Sequence, residues 1–140
     1  MPERYKAFEA EAPYFITLTL VEWIHLFNIR QFATKVVDSL KFCVQNKGLL
    51  IYGYCIMPSH AHLIVQSQKN PLGSIIRDFK KFTAAEIVKI MKESGNYQEE
   101  LQVFQHKATE TKRNKTVKVW LDGYHPEIIY SNRFFFQKLN

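Results

Sequence analysis

Two histidines separated by one residue are the pair in this chain whose types and spacing could do chemistry. His60 and His62 lie in a run of apolar, β-forming residues. Side chains alternate along a strand, so both imidazoles should project from one face, about 6–7 Å apart along the backbone. Two nitrogen ligands at that separation can close on one metal ion, although a transition metal usually needs a third protein ligand. By spacing alone, two half-buried structural histidines are the commoner interpretation.

Basic side chains recur at helical spacing further along the chain and can form one ridge that contacts phosphates. The cations concerned are Arg77, Lys80, Lys81 and Lys89. A solvated helix face is the competing interpretation. Phe79 and Phe82 lie beside these cations, and both are expected in the core.

A second basic segment follows, in which residues 107–118 hold several cations against Glu110 alone. These cations are Lys107, Lys112, Arg113, Lys115 and Lys118. Because residues 107–116 are polar and end without an apolar period, they predict a mobile basic loop. Such a loop could become ordered on a nucleic-acid backbone, or it could be a solubilising tether.

Composition is compatible with one domain that carries a real core and a basic surface. Of the 140 residues, 46% are hydrophobic, and 19 Lys and Arg against 13 Asp and Glu give a net charge of +6. This surplus attracts polyanions, so nucleic acid is the first partner to consider. Cys43 and Cys55 lie in separate apolar runs, which indicates buried free thiols in a reducing cytoplasm. No apolar stretch is long enough to predict secretion or a membrane span.

Periodicity predicts the elements that must position these residues. Apolar alternation predicts a first strand over residues 14–21, and helical spacing predicts a helix over residues 29–46. Two β-type runs, residues 49–57 and 60–66, are separated by Pro58-Ser59 and predict a hairpin. A second helix is expected to begin with a cap at Asn70-Pro71 and to end near residue 92.

The C-terminal third has weaker patterns. Residues 97–116 predict a short helix and then the basic loop, residues 117–121 a last strand, and residues 123–129 a loop. Ser131-Asn132 predicts the cap of a further helix, truncated at residue 140.

The predicted order, βαββαβ, is that of the ferredoxin-like unit in the α+β class. Such a unit has an antiparallel sheet with both helices on one face, and the other face is free to carry a site. We therefore expect a single domain over residues 1–140, with residues 1–12 as an N-terminal arm.

The residues around the histidine pair resemble a known family. The run Met57-Pro58-Ser59-His60-Ala61-His62 is closely similar to the signature of the single-tyrosine HUH transposases, which include insertion-sequence and REP-associated tyrosine transposases. Residues 13–18, 76–83 and 119–126 resemble further blocks of that family in the same order. Together the blocks cover most of residues 13–140. Ser59 stands where the family usually has Asn, a change that the turn is expected to tolerate.

The resemblance implies a metal site and a DNA substrate. His60 and His62 would hold Mg²⁺ or Mn²⁺, which polarises the scissile phosphate of hairpin-forming single-stranded DNA, and Mn²⁺ should suit nitrogen ligands better. A tyrosine hydroxyl would attack the phosphorus, leaving a 5′-phosphotyrosine and a free 3′-hydroxyl for strand transfer in DNA transposition. The expected DNA contacts are Arg77, Lys80, Lys81, Lys112, Arg113, Lys115 and Tyr124. A bacterial, cytoplasmic location and a homodimer are the matching expectations.

The nucleophile and the third metal ligand are open. The family tyrosine lies on a helix just beyond a segment like residues 136–140, where this chain ends, so the nucleophile is expected among the next residues. A clipped chain, a truncated gene or another tyrosine would account for this, with Tyr130 or Tyr124 as the nearby candidates. His125 or Glu127 could be the third metal ligand, or that ligand lies on the missing helix. The alternative function is a ferredoxin-like nucleic-acid-binding module that lacks the nucleophile.

Overall fold

The computed structural model describes residues 12–111 and 115–129 of the chain. The elements, in chain order, are β1 (Tyr14–Thr19), α1 (Arg30–Asn46), β2 (Leu49–Ile56), β3 (His60–Ser67), α2 (Leu72–Ser94), α3 (Gln98–Thr109) and β4 (Glu127–Ile128). A short 3-10 turn, Val21–Trp23, follows β1. Among the helices of the described residues, none is both long enough and apolar enough to cross a bilayer.

The four strands form one antiparallel sheet in the order β2-β3-β1-β4. This order confirms the ferredoxin-like α+β fold, because β1 and β3 lie side by side in the centre and β2 and β4 form the edges. Phe32 of α1 and Phe79 of α2 join the same buried cluster as Ile16 and Leu18 of β1. Both helices therefore cover one face of the sheet. Within residues 12–111 and 115–129, the other face, called the open face below, presents half-buried side chains of β1 and β3.

β1 follows the predicted alternation. Tyr14, Ile16 and Leu18 are buried on the helix side, and the residues between them are half-buried on the open face. In an antiparallel sheet, directly paired residues point to the same face, so the register with β3 decides which side chains meet. Thr17 pairs with His62 and Thr19 with His60.

The β2–β3 hairpin is held by backbone hydrogen bonds from the segment after β1. The Pro58 carbonyl accepts hydrogen bonds from the amides of Leu26 and Phe27, each at 2.9 Å, and the Ser59 carbonyl accepts one from Leu20 at 2.9 Å. The hairpin was predicted from two apolar runs and is confirmed. A β-bulge between Ile51 and Gly53 shifts the register of the edge strand, which local periodicity did not predict.

Both long helices are confirmed, and α2 runs two residues beyond its predicted end. The helix ends at Ser94, and its C-cap residue is Gly95, whose φ of 71° is the left-handed conformation that favours glycine. The predicted cap at Asn70 is not formed. The N-cap residue is Pro71, whose side chain has no hydrogen-bonding group, and Nδ2 of Asn70 donates to the Lys47 carbonyl at 2.9 Å. Phe82 was expected in the core but is 55% exposed, since Phe79 and Thr83 occupy the buried side of that turn.

The prediction of a last strand over residues 117–121 is wrong. Trp120 forms only an isolated bridge with Leu20, and the fourth strand is Glu127–Ile128, inside the segment predicted as a loop. The reason is that the Val21–Trp23 turn begins directly after Leu20. Beyond this residue the chain is no longer extended, so residues 117–121 have no strand with which to form a ladder.

α3 confirms the short helix predicted after residue 97. It runs to Thr109, so residues 107–109 are helical and the predicted basic loop cannot begin before residue 110. Residues 112–114, most of the predicted N-terminal arm and the predicted cap at Ser131-Asn132 lie outside the described residues.

Candidate metal centre on the open face of the sheet

His60 and His62 lie side by side on the open face, as their spacing predicted. Their ring centroids are 4.8 Å apart and the ring planes are inclined by 74°. Both residues are half-buried, while Ala61 between them is buried against the helices. The strand therefore separates the two imidazoles from the hydrophobic core and brings them to one accessible position.

A hydroxyl group holds each imidazole at its Nδ1 atom. Nδ1 of His60 is hydrogen bonded to Oγ of Ser59 at 3.1 Å, and Nδ1 of His62 to Oγ1 of Thr17 at 3.1 Å. Metal-bound histidines typically donate their second ring N–H to an oxygen, which fixes the tautomer and the ring orientation. With Nδ1 engaged in this way, Nε2 of each ring is the nitrogen that would coordinate a cation. This donor set fits a divalent metal ion.

Aromatic rings flank the pair on both sides. The Phe15 ring stacks on His62 with centroids 5.3 Å apart and an interplanar angle of 17°. The indole of Trp23 makes an edge contact with His60 at 5.6 Å and 70°. These contacts restrict the rotation of both imidazoles. Trp23 was not singled out from the sequence, because no periodic pattern links the turn after β1 to β3.

The third ligand is not found beside the pair. Glu127 pairs with Phe15 across the β1–β4 ladder, and His125 lies in the preceding loop at a φ of 45°. Within residues 12–111 and 115–129, no three His, Cys, Asp or Glu side chains are grouped closely enough to hold a metal ion. The described part of the chain thus contributes two nitrogen ligands, and neither His125 nor Glu127 joins them.

Arg77 and Lys81 are exposed on α2, which is the layer opposite the histidines. Arg77 is ion-paired through Nε to Oδ1 of Asp78 at 3.3 Å, and Asp78 also binds Nζ of Lys47 at 3.0 Å. Hydrogen bonds from Lys47 and Arg77 lower the pKa of the Asp78 carboxyl, and the one from Lys47 has the largest effect. The structure does not bring the predicted cations together with the histidine pair, because the sheet lies between them.

Lys80 departs from the predicted ridge. Its Nζ turns inward and donates to the carbonyls of Leu121, at 2.8 Å, and Gly123. Burial lowers the pKa of this amine to about 8, against the opposing effect of Asp122. Half-buried Lys80 therefore fastens the loop before β4 to α2, and its ammonium is engaged by two backbone carbonyls.

The remaining predicted site residues are spread over the chain. Tyr124 is half-buried, and its hydroxyl lies 3.4 Å from where a Cβ on Gly73 would be, against the first turn of α2. Lys115 is exposed. Tyr130, Lys112 and Arg113 lie outside the described residues.

Comparison with solved structures gives a similar fold. A REP-associated tyrosine transposase bound to a REP hairpin superposes with a TM-score of 0.63 and 14% sequence identity. The fold resembles that of this transposase. The match covers 97% of the present chain and 66% of the transposase chain, so the present chain spans about two thirds of that protein. At 14% identity the likeness concerns the fold. No protein-family model and no curated protein matches the sequence.

Proposed function

We propose that this protein binds hairpin-forming single-stranded DNA and that His60 and His62 hold a divalent metal ion, Mg²⁺ or Mn²⁺, at a phosphate. The observation that carries the proposal is the geometry of the two imidazoles. They stand 4.8 Å apart on the open face, each with Nδ1 bonded to a hydroxyl. Strand alternation explains the shared face, whereas the two Nδ1 hydrogen bonds, which leave Nε2 of each ring for a cation, support a metal site.

The chain's own residues would orient the metal and the substrate. Thr17 and Ser59 hold the rings, and Phe15 excludes water from one side of His62. A bound cation would neutralise charge on the phosphate and make its phosphorus more electrophilic. Imidazole nitrogens favour Mn²⁺ over the harder Mg²⁺.

DNA as the partner is supported by charge and by fold. The net charge of +6 favours encounter with polyanions. The similar transposase was solved with a REP hairpin bound. A folded single strand, which presents both a phosphate backbone and unpaired bases, is the ligand we infer for the open face.

Strand cleavage is the further part of the proposal. A tyrosine hydroxyl would release its proton as its oxygen bonds to the phosphorus and the bond from phosphorus to the 3′ oxygen breaks. The leaving oxygen would take up a proton to become a 3′-hydroxyl, so no proton is gained or lost overall. Tyr130 is the candidate nucleophile of this chain. The second candidate function is a binding module without cleavage, and it is favoured by Tyr124, whose hydroxyl packs at Gly73 on the helix side.

Metal titration tests the central claim. Mn²⁺ binding, measured by calorimetry, should be lost in His60→Ala/His62→Ala and retained in His106→Ala, which removes an exposed histidine on α3. Unchanged Mn²⁺ affinity in the double variant would remove the pair from any metal site. Separately, incubation with Mn²⁺ and hairpin-bearing single strands should leave a covalent protein–DNA adduct on a denaturing gel. DNA binding without an adduct would identify the binding module.

A further inference from the structure

Trp23 is a large apolar side chain in an unusual place. It is 61% exposed, and its ring makes an edge contact with His60 at 5.6 Å. The second tryptophan, Trp120, is 5% exposed, and its Nε1 donates to Oγ1 of Thr83 at 3.0 Å. One indole is thus a core residue, and the other stands in solvent beside the proposed metal pair.

The backbone around Trp23 is held in a conformation that non-glycine residues rarely adopt. Glu22 has a φ of 55° and Trp23 a φ of 52°, so two consecutive residues with a Cβ are left-handed. Such strain persists only where the surroundings enforce it, and it is concentrated at functional sites. Here the Trp23 amide donates to the Leu20 carbonyl at 3.2 Å, and the Val21 amide to the Val119 carbonyl at 2.9 Å.

The carboxylate next to Trp23 is ion-paired to a lysine of α3. Oε2 of Glu22 is 3.1 Å from Nζ of Lys107 on α3. Hydrogen bonds to Glu110 and Glu22 raise the pKa of Lys107, so this cation stays protonated and is shared between the two carboxylates. A polyanion at the histidines would therefore meet an uncharged indole, with the neighbouring acid already paired.

We propose that Trp23 stacks on a nucleobase of the single strand, next to the phosphate held at His60 and His62. This inference rests on the proposed function and names a contact that binds the substrate. Bases stack on exposed aromatic rings with little dependence on sequence, and an indole presents the largest such surface. Because Trp23 contacts His60 directly, the stacked base would belong to a nucleotide at or next to the bound phosphate.

Fluorescence provides the direct test because the two tryptophans differ in exposure. Titration of the protein with a hairpin carrying a single-stranded tail should quench its emission in step with binding, which is measured independently by the anisotropy of labelled DNA. Trp23→Phe leaves only the buried Trp120, so its emission should change little although DNA still binds. Quenching of equal size in Trp23→Phe would overturn the assignment.

Affinity and an abasic scan separate stacking from a structural role. Trp23→Ala should weaken binding of the single strand by about 5- to 100-fold, the range expected for loss of one stacked base. Trp23→Phe should lose much less, and Phe82→Ala, which removes an exposed aromatic on α2, should leave affinity unchanged. Abasic sites are placed one at a time along the tail. At one position, the abasic site should weaken binding to the wild type as much as Trp23→Ala does. The same abasic site should not weaken binding to Trp23→Ala any further.

The outcomes distinguish this inference from the proposed function. If wild type binds the hairpin, but Trp23→Ala binds as tightly and no quenching occurs, the stacking role is excluded and the proposed function stands. If Trp23→Ala loses Mn²⁺ affinity and every abasic site weakens its DNA binding as much as it weakens that of the wild type, Trp23 acts only by positioning His60, and the stacking role is again excluded. If the wild-type protein itself fails to bind single strands, both the proposed function and the stacking role of Trp23 are excluded.

Discussion

At the scale of single residues, the candidate site consists of two imidazoles and the hydroxyls that orient them. Ser59 is 5% exposed and bonds the ring of its neighbour, whereas Thr17 reaches His62 from the adjacent strand. The backbone of Ser59 anchors the hairpin independently of its side chain, because the Ser59 carbonyl accepts a hydrogen bond from the Leu20 amide. The Ser59 hydroxyl is therefore available to hydrogen bond Nδ1 of His60.

Removing these hydroxyls should weaken metal binding without removing a ligand. We predict that Thr17→Val and Ser59→Ala each lower Mn²⁺ affinity by about 10- to 100-fold, the usual cost of losing a partner of a metal-bound histidine. Thr19→Val, on the same face of β1, is the matched control and should have little effect. Calorimetric titration of the three variants measures the difference. Equal affinities for all three would show that the hydroxyls do not orient metal ligands.

At the scale of elements, the loop that leads into β4 depends on one buried amine of α2. Nζ of Lys80 donates to two carbonyls of that loop, and the Thr17 amide donates to the Tyr124 carbonyl at 2.9 Å. Helical spacing predicts Lys80 on an exposed ridge. Spacing alone cannot distinguish a lysine that points into solvent from one that hydrogen bonds to the backbone of a neighbouring loop.

The pKa of Lys80 predicts a pH-dependent stability. Its folded value of about 8 lies below the ordinary 10.5, so between these values the unfolded chain binds more protons than the folded one. The free energy of unfolding should therefore rise with pH across this window. Relative to Lys80→Met, the wild type should gain on the order of 1–3 kcal/mol, as judged by urea denaturation at several pH values. Parallel pH profiles for the two proteins would contradict the buried environment of the amine.

At the scale of the whole molecule, the sheet separates the histidine pair from the exposed cations of α2. DNA that contacts both must pass around an edge of the sheet, where β2 or β4 lies. We retain Arg77 and Lys81 as proposed phosphate contacts on this wrapped path. Both residues are exposed and Arg77 is ion-paired to Asp78, which are also the features of a solvated helix face.

Salt dependence distinguishes these two roles. Each phosphate neutralised on a single strand contributes about 0.7 to the slope of log affinity against log salt concentration. Arg77→Gln/Lys81→Gln should therefore reduce the slope by about 1.4 if both residues contact phosphates. Lys41→Gln/Lys92→Gln removes the same charge from exposed positions outside the predicted ridge and is the control. A slope equal to that of the control would assign Arg77 and Lys81 to the solvated face.

Local patterns in the sequence determined a large part of this protein. The alternation of β1, the two long helices and the hairpin follow from periods of two and 3.6 residues and from Pro and Gly at their ends. The shared face of His60 and His62 follows from the same local rule, since residues two apart in a strand must point the same way. No tertiary contact is needed for any of these features.

Contacts between distant segments decided the rest. Thr17 meets a histidine 45 residues away because of strand register, and Trp23 reaches His60 because a strained turn ends β1 there. Lys80 turned inward because a loop some 40 residues later offered it carbonyls. The fourth strand formed at Glu127–Ile128 because these residues pair with Tyr14 and Phe15 at the start of β1. Such choices depend on which surfaces pack together, and a periodic pattern in one segment carries no information about its partner.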